Sequence, residues 1–364
     1  MKIVIITNIP SPYRVDFFNY LMDNSGFEYH VVYASRNEGN REWKVDPSTL
    51  RNSTFLAAKT ITIKKKTDNR YIHITTGVGG VLNKLNPDVV IASEYNITVL
   101  QALLWSKRNR KKFVSWTDGT LNSEKNIGIL QSLARKYVIR SSDAYIGSSS
   151  ASRQTQIAYG ANPDKCFTSF LTVDIDKFRQ KREKAAGNTI IFVGQLILRK
   201  GVDLLFAALQ KVRVEWRLIV VGNGPDLHKL MELADQMGLG CKIEFCGFLP
   251  QEKLLEKYAQ SDLFILPTRE DCFGLVILEA MCSGLPLIVS KFADGAGDLV
   301  EDGKNGFIVD PYDSEQLAEK IEQVLIDKEV AEQMGCYSEE KCKGFSFESV
   351  SIGFVAAADF AINS

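Results

Sequence analysis

The chain has 364 residues and a mass of 40.7 kDa; 45% of its residues are hydrophobic, 24% are charged, and its formal net charge is zero. This composition is typical of an ordinary soluble globular protein, and the length is enough for two domains. No apolar run reaches the ~18–20 residues that would span a bilayer. The short apolar run at the N-terminus ends at Asn8 and Pro10, which indicates a buried strand and not a signal peptide.

The first half alternates β-rich runs with amphipathic helical patterns. The predicted strands are Ile3–Thr7, Glu28–Tyr33, Val89–Ala92, Lys112–Trp116, Ala144–Gly147 and Cys166–Ser169. The predicted helices are Val15–Met22, Thr98–Lys107, Ile129–Arg140 and Ala151–Tyr159. Near-continuous apolar strands separated by helices indicate a parallel sheet that is covered on both faces.

The polar segment Asp174–Asn188 is typical of a linker, and the alternating pattern restarts after it. The predicted strands of the second half are Thr189–Val193, Arg217–Val221, Ile243–Cys246, Leu263–Leu266, Leu287–Ser290 and Phe307–Val309. Its predicted helices are Val202–Val212, Asp226–Met237, Lys253–Gln260, Leu275–Cys282, Glu315–Ile326 and Ala331–Lys343.

The fold class predicted from these patterns is α/β, with two Rossmann-like, doubly wound parallel-sheet domains whose strand ends face a central cleft. We expect the first domain to comprise residues 1–180 plus 347–364, because the apolar C-terminal helix has little left to cover in the second half. The second domain is expected at residues 187–346.

The charge is unevenly distributed between the halves. Residues 1–180 hold 25 Lys and Arg against 15 Asp and Glu, whereas residues 181–364 hold 19 against 29. Basic runs at 64–66 and 107–112 suit contact with an anionic membrane surface or an anionic substrate, or they are simply solvated faces. Nucleic acid is not an expected partner, because the basic runs lack interleaved aromatic residues.

The seven cysteines are odd in number and form no C-x-x-C pair, which indicates reduced thiols in a cytosol and neither a disulfide framework nor a zinc site. The three histidines are far apart in sequence, so no histidine metal cluster is expected.

The most informative segment is 266–290, which is predicted to form a strand, a loop with acids, a helix opening at Gly274, and a second strand. A helix start presents unpaired amides and the positive end of the helix dipole, which together suit a phosphate. Carboxylates would not favour the phosphate itself, and this segment has three of them: Glu270, Asp271 and, eight residues after Asp271, Glu279. They suit sugar hydroxyls on either side of it, unless they are ordinary surface acids.

A second strand–loop–helix segment spans residues 189–209. Gly194 ends the strand where a side chain would obstruct a ligand, and Arg199 and Lys200 come just before the next helix. Two cations at such a junction suit a diphosphate whose charge develops on a leaving group, although a surface pair beside a helix cap is the alternative. Gly222 and Gly224 after the next strand would allow close approach of a nucleotide base or ribose, or they serve tight turns alone.

Three residues of the first half also follow predicted strands. Arg14, in the first helical turn after a Pro-rich loop, could meet a phosphate, although the loop is equally explained as a rigid strand–helix turn. Asp118 follows the strand predicted at Lys112–Trp116, and Glu94 is a second acidic candidate at the same sheet edge.

The second half resembles the retaining glycosyltransferases of family 4, which have the GT-B fold, in the motifs F-V-G-x-L…R-K-G, V-G-x-G-P, G-F-L-P, P-T-R-E-D-C-F-G-L-V-I-L-E-A-M-x-x-G-L-P and E-D-G-x-N-G-F-I-V. The opening N-I-P-S-P-Y-R resembles a subgroup associated with polysaccharide assembly. The resemblance implies a nucleotide-sugar bound by the second domain and an acceptor bound by the first, without a metal ion. It implies that Glu279 binds ribose hydroxyls and that Asp271 binds sugar hydroxyls. It also implies that Lys200 and the amides of Phe273, Gly274 and Leu275 bind the diphosphate.

Two positions of the second half depart from the family pattern. The first acid of the Glu-x(7)-Glu pair is Asp271, with Glu270 adjacent, so the sugar contact is one methylene shorter or shifts to Glu270. Gln195 stands where the family commonly has arginine, which leaves Arg199 and Lys200 to hold the phosphates. In the first half, Asp118 lies near where the family often has a histidine that contacts the transferred sugar. The resemblance implies that its carboxylate could accept a sugar or acceptor hydroxyl, or stabilise positive charge at the anomeric carbon.

The sequence therefore predicts a metal-independent retaining hexosyltransferase that uses a nucleotide diphosphate sugar as donor substrate and needs no cofactor. Its acceptor would be a hydroxyl of a glycan or a lipid-linked acceptor. The expected location is the cytoplasm or, through the basic first domain, the inner face of the membrane. The alternatives are a sugar-nucleotide epimerase of the GT-B type and a catalytically inactive nucleotide-sugar-binding partner.

Overall fold

A computed structural model describes residues 1–38, 43, 45–63, 70–179 and 187–364. The chain forms two compact units: unit 1 comprises Met1–Asp174 and Phe345–Ser364, and unit 2 comprises Ile175–Gly344. The basic run Lys64–Lys66 and residues 180–186 of the predicted linker lie outside the described residues.

Strands and helices alternate along both units. The strands are β1 Lys2–Thr7, β2 Glu28–Tyr33, β3 Ser53–Phe55, β4 Ala57–Ile63, β5 Arg70–Thr76, β6 Val89–Ser93, β7 Lys112–Thr117, β8 Ala144–Gly147, β9 Cys166–Thr168, β10 Thr189–Val193, β11 Arg217–Val221, β12 Ile243–Gly247, β13 Leu263–Leu266, β14 Leu287–Ser290 and β15 Gly306–Val309. The α-helices are α1 Pro12–Asn24, α2 Val78–Leu85, α3 Ile97–Arg108, α4 Leu121–Glu124, α5 Ile129–Ser141, α6 Ser150–Ala158, α7 Ile175–Phe178, α8 Val202–Leu209, α9 Leu227–Gln236, α10 Gln251–Ala259, α11 Leu275–Cys282, α12 Ala296–Leu299, α13 Ser314–Ile326, α14 Lys328–Cys342 and α15 Phe347–Asn363.

Unit 1 is built on a seven-stranded parallel sheet with the order β3-β2-β1-β6-β7-β8-β9. Successive residues of β1 point to opposite faces, so Ile3 and Ile5 pack with α1 and α15, whereas Val4 and Ile6 pack with α2 and α3. Because both faces are covered, the strand is apolar at nearly every position.

Unit 2 has a second parallel sheet, with the order β12-β11-β10-β13-β14-β15. All residues of β13 and β14 are buried, and both strands lie in the interior of the sheet. Two doubly wound parallel sheets confirm the predicted α/β fold of two Rossmann-like domains.

The sequence patterns did not predict β3, β4 or β5. Strands β4 and β5 pair antiparallel in a hairpin separate from the main sheet. Lys59 is exposed while His73 and Thr75 are buried, so the hairpin buries polar side chains on its inner side. The alternation of apolar and polar residues that identifies a half-buried strand is therefore weak there.

Helix α15 completes the core of unit 1 from a distant part of the sequence. Ser346 caps its N-terminus, and the Phe354 ring lies 5.7 Å from the Phe17 ring and 5.5 Å from the Trp116 ring. Within the part of the chain that the structure describes, residues 328–363 form one helical stretch that is long and apolar enough to cross a membrane. That is weak evidence for a span, because Phe354, Ala357 and Ala361 are fully buried in the core of unit 1.

Gly353 lets α15 approach β9 closely. A Cβ atom added there would lie 1.9 Å from the Thr168 carbonyl oxygen, so Gly353→Ala must push the helix away from the sheet. We expect a loss of about 1–3 kcal/mol in the free energy of unfolding, measured by urea denaturation. The matched control is Gly344→Ala, because nothing lies within 4 Å of its added Cβ. Equal stability of the two variants would contradict this packing.

Candidate functional site

Four loops that follow strands of unit 2 are hydrogen-bonded to one another at the carboxyl edge of the sheet. The loop after β10 is joined to the loop after β11 by the Leu196 amide, which donates to the Asn223 carbonyl at 2.9 Å. The loop after β13 is joined to the loop after β10 by the Arg269 amide, which donates to the Arg199 carbonyl at 2.7 Å. The loop after β14 joins through Asp294, whose amide donates to the Asp271 carbonyl at 2.9 Å. The edge is thus one connected surface.

Glycines make these close loop contacts possible. A Cβ atom at Gly222 would lie 1.9 Å from the Gly194 carbonyl oxygen, and one at Gly224 would lie 2.3 Å from the Leu196 oxygen. Gly201 has φ +73, and a Cβ atom there would lie 2.1 Å from the Pro267 carbonyl oxygen. Contact between loops therefore accounts for Gly222 and Gly224, and their contact with a base or ribose stays a prediction.

Lys200 and Asp271 form an ion pair that connects the loops after β10 and β13; their side chains are 12% and 14% exposed. Asp271 Oδ1 also accepts hydrogen bonds from the amides of Gly274 at 2.9 Å and Phe273 at 3.3 Å. Burial would raise the pKa of Asp271, but Lys200, Arg199 and the Phe273 amide outweigh it and hold that pKa below its usual value.

Asp271 thus fixes the turn that leads into α11, which begins at Leu275 after Gly274 in the left-handed conformation, φ 76. The family resemblance assigns the amides of Phe273 and Gly274 to a diphosphate, and in this structure the first acid of the pair accepts from them. The single methylene group of Asp places its carboxylate oxygens where they can accept from amides two or three residues further along the chain. The departure from Glu therefore has a structural role.

Arg199 lies beside the same pair. Its Nη1 donates to the Glu270 carbonyl at 2.9 Å, and its own carbonyl accepts from the Thr268 hydroxyl at 2.9 Å. Arg269, which was not among the predicted site residues, donates to both carboxylate oxygens of Asp203 at 2.8 and 2.7 Å. The sequence signal that could have identified Arg269 is its place in the P-T-R-E motif, together with the acid Asp203 in the first turn of α8. Gln195 and Gly194 lie directly after β10, in the loop that precedes Arg199.

Glu279 lies in the middle of α11. The hydroxyl of the fully buried Tyr258 donates to its Oε2 at 3.0 Å. Burial raises the pKa of Glu279 to about 7, and the Tyr258 hydrogen bond offsets only part of that effect. A carboxyl in this position with one protein donor has further oxygen lone pairs for a ligand hydroxyl.

Unit 1 has its own charged cluster at the carboxyl edge of its sheet. Arg14 is 9% exposed and forms an ion pair with Asp118. Its Nη1 donates to the Thr7 hydroxyl at 2.7 Å, and its guanidinium carbon lies 4.5 Å from the centre of the Trp116 ring. Asp118 in turn accepts from the Ser148 hydroxyl at 2.5 Å. Arg14 therefore holds Asp118 in place, and the predicted contact of Arg14 with a phosphate stays a prediction.

Glu94 adjoins this pair. Its Oε1 accepts from the Asp118 amide at 3.3 Å, and its backbone has φ 75, a left-handed conformation that costs a non-glycine residue about 1 kcal/mol or more. Burial, and then the Asp118 charge, raise the pKa of Glu94 to about 7, while Arg14 opposes the shift. The hydroxyls of Thr7 and Ser148 were not predicted from the sequence, although each lies at or just after the end of a strand.

All seven cysteines are described, and all are free thiols. Among the described residues, no group of three or more His, Cys, Asp or Glu side chains is arranged to hold a metal ion.

Comparisons with known proteins concern mainly unit 2. Residues 174–341 match the family described as glycosyl transferases group 1. Sulfoquinovosyl transferase SQD2 of Arabidopsis thaliana is 32% identical over 168 residues, which are 44% of this chain and 31% of that protein. The GDP-mannose-dependent alpha-(1-6)-phosphatidylinositol monomannoside mannosyltransferase of Mycobacterium tuberculosis is 31% identical over 188 residues, which are 46% of this chain and 49% of that protein. The chain thus spans less than half the length of these relatives.

A solved structure matches the whole chain. HepE of Anabaena in complex with UDP has a TM-score of 0.81 at 18% identity, and the match covers 99% of this chain and 100% of that one. At this identity the likeness establishes the fold alone, and it confirms the predicted GT-B fold of two Rossmann-like domains.

The raised pKa of Glu279 predicts a pH-dependent effect on stability. A carboxyl whose pKa is about 7 when folded and 4.5 otherwise favours the folded state below about pH 4.5, and that contribution is lost as the pH rises through 7. Glutamine does not ionise, so Glu279→Gln does not lose stability in this way as the pH rises. We therefore expect the variant to gain about 2 kcal/mol relative to the wild type between about pH 5 and pH 8, by urea denaturation.

The control for this comparison is Glu319→Gln on the exposed side of α13. The difference in the free energy of unfolding between this variant and the wild type should not change over the same pH range. A Glu279→Gln difference that is also independent of pH would show that the carboxyl is ionised throughout.

Proposed function

Residues 174–341 match the glycosyl transferases group 1 family, which supports a glycosyltransferase family for the chain, and from this premise we propose a specific activity. The chain transfers a hexose-type sugar from a nucleotide diphosphate sugar to a hydroxyl of a glycan or lipid-linked acceptor. The sugar keeps its anomeric configuration, no metal ion is required, and the chain is a family 4 enzyme.

The Lys200–Asp271 pair at the N-terminus of α11 carries this proposal. A diphosphate brings negative charge that Lys200, Arg199 and the helix dipole would stabilise as it grows on the leaving group. When the diphosphate contacts Lys200 and the amides of Phe273 and Gly274, Asp271 exchanges these partners for hydroxyls of the sugar. Glu270, next to it, is a second acceptor for those hydroxyls.

Glu279 takes the ribose of the nucleotide in this proposal. Its Oε2 already accepts from Tyr258 at 3.0 Å, which fixes the carboxyl and leaves acceptor capacity for two vicinal hydroxyls. Because burial raises the pKa of Glu279 to about 7, the ionised acceptor becomes available as the pH rises through that value. Gly222 and Gly224 remain candidates for contact with the base.

Unit 1 takes the acceptor and carries the proposed membrane contact. Asp118 would accept the acceptor hydroxyl or stabilise the positive charge that develops at the anomeric carbon. Arg14, through its ion pair with Asp118, positions that carboxylate. A lipid-linked acceptor is supported by relatives, since one is named for action on a phosphatidylinositol monomannoside. We place the protein in the cytoplasm or at the inner face of the membrane.

Retention follows a front-face route in this proposal. The bond between the anomeric carbon and the diphosphate oxygen breaks, and the diphosphate leaves with both electrons. Its oxygen receives the proton of the incoming hydroxyl as the new glycosidic bond forms on the same face. The protein then contributes positioning and charge stabilisation, which suits a site of cations, amides and carboxylates.

Lys200→Ala should weaken transfer strongly. Loss of the charge that stabilises the departing diphosphate is expected to cost about 2–4 kcal/mol in kcat/KM, measured with radiolabelled donor. Glu279→Ala should cost a similar amount and raise KM more than it lowers kcat. The matched control is Lys211→Ala, which breaks an exposed ion pair with Glu315 in the same unit and should leave kcat/KM unchanged. Wild-type kinetics for Lys200→Ala would remove its proposed role.

Transfer and slow donor hydrolysis should both continue in EDTA, because the proposed charge stabilisation comes from side chains and amides. Transfer and hydrolysis assays, together with thermal unfolding, separate the proposal from an inactive binding partner and from an epimerase.

An inactive binding partner would be stabilised against thermal unfolding by a nucleotide diphosphate, yet it would show neither transfer nor hydrolysis. An epimerase would convert the donor without any acceptor. Activity that disappears in EDTA and returns with added metal would contradict the metal-free mechanism.

A further inference from the structure

Helix α5 exposes an unusually apolar face. Ile129 and Leu130 are 80% and 81% exposed, and Leu133 and Tyr137, further along the same helix, are 56% and 49% exposed. The spacing of these four residues places them along one side of the helix, because residues three and four apart are neighbours on its surface. Leu121 of the short helix α4, just before α5, is also exposed.

The opposite side of α5 is already used for packing. Arg135, Val138 and Ile139 are buried there, and Val138 and Ile139 belong to a core cluster of unit 1. The helix is therefore anchored by one face, so its outward apolar residues are not needed to hold it on unit 1. Scattered single apolar side chains are normal on protein surfaces, whereas several on one helix face indicate a binding surface.

The exposed charged side chains of α4, α5 and the residues between them are all positive. Between residues 121 and 140, a stretch that the structure describes throughout, the exposed charged side chains are those of Lys125, Lys136 and Arg140. The one carboxylate of the stretch, Glu124, is buried, and Arg135 Nε lies 2.8 Å from its Oε2. A stretch with apolar side chains, exposed cations and no exposed anion of its own complements an anionic lipid bilayer, in which the apolar groups enter the acyl boundary and the cations meet headgroups.

We propose that the exposed face of α5, with Leu121, docks unit 1 on an anionic lipid bilayer. Leu130 and Ile129 enter the bilayer surface, and Lys125, Lys136 and Arg140 lie at the headgroups. A single exposed apolar residue such as Ile326 on α13 lacks this arrangement, because its neighbour in sequence is Asp327 and its helix carries Glu315, Glu319 and Glu322.

The docking face is joined directly to the charged cluster of unit 1. The buried Arg135–Glu124 pair ties α5 to α4, and Glu124 also lies against the loop after β7, since a Cβ atom at Gly119, next to Asp118, would lie 2.8 Å from Glu124 Oε1. The Arg135 guanidinium carbon also lies 5.1 Å from the centre of the Tyr95 ring, beside Glu94. This link rests on the proposed function: it would bring the hydroxyl of a lipid-linked acceptor from the bilayer to the loop of Asp118.

Vesicle sedimentation of the full chain tests the docking face without any donor or acceptor. The wild type should pellet with vesicles that contain phosphatidylglycerol, bind phosphatidylcholine vesicles far less, and lose binding as salt rises. The double variant Ile129→Ser/Leu130→Ser and the variant Lys125→Glu/Lys136→Glu should each bind phosphatidylglycerol vesicles at least about tenfold more weakly. The matched controls are Ile326→Ser, 64% exposed in unit 2, and Ile352→Ser, 68% exposed on α15.

The outcomes separate this inference from the transferase proposal. Donor hydrolysis without vesicles should be the same for the double variant and the wild type, so a loss of vesicle binding alone assigns the face to lipid. Failure of the wild type to bind anionic vesicles, or equal binding by the double variant, would overturn the inference. A wild-type dimer in vesicle-free size-exclusion chromatography that Ile129→Ser/Leu130→Ser converts to a monomer would overturn it as well, and would assign the face to a second copy.

Discussion

The ion pair between Lys200 and Asp271 is the interaction on which the candidate site of unit 2 depends. Both side chains are largely withdrawn from water, and a buried charge without its partner is costly. The carboxylate also accepts hydrogen bonds from amides of the turn before α11, so one side chain joins the loop after β10, the loop after β13 and the entry to a helix. The ion pair thus connects the loops that follow β10 and β13, and this connection holds the site residues of both loops in place.

Unit 1 also has an ion pair at the carboxyl edge of its sheet, formed by different residues. Arg14 and Asp118 form the ion pair there, and hydroxyls at strand ends take the place of backbone amides as its supporting partners. Each unit also has one carboxyl whose pKa burial raises to about 7, Glu94 in unit 1 and Glu279 in unit 2. Each edge therefore combines a carboxylate in an ion pair with a cation and a second carboxyl whose pKa lies near neutral pH.

The sequence predicted the parts of the fold that are set by local pattern. Buried parallel strands are apolar at nearly every position, so β10, β13 and β14 were found with their bounds, and the glycine before α11 was found with its helix. The contacts that depend on tertiary structure were not accessible in this way. Arg14 and Asp118 are 104 residues apart, and nothing local indicates that they meet. The period of residues 129–140 predicted a helix, but it could not show which of two apolar faces packs on the sheet and which stays exposed.

The placement of α15 also has a consequence for how the protein folds during synthesis. The core that contains Val31, Ile91 and Trp116 is closed by Phe354 and Ala358, which leave the ribosome only after the whole of unit 2 has been made. Until α15 has been made, the part of the sheet face that it covers stays exposed, although α1 can already pack on the same face. Nascent chains in that interval are the species most exposed to aggregation, and chaperone binding to them would protect the first-made half of the molecule.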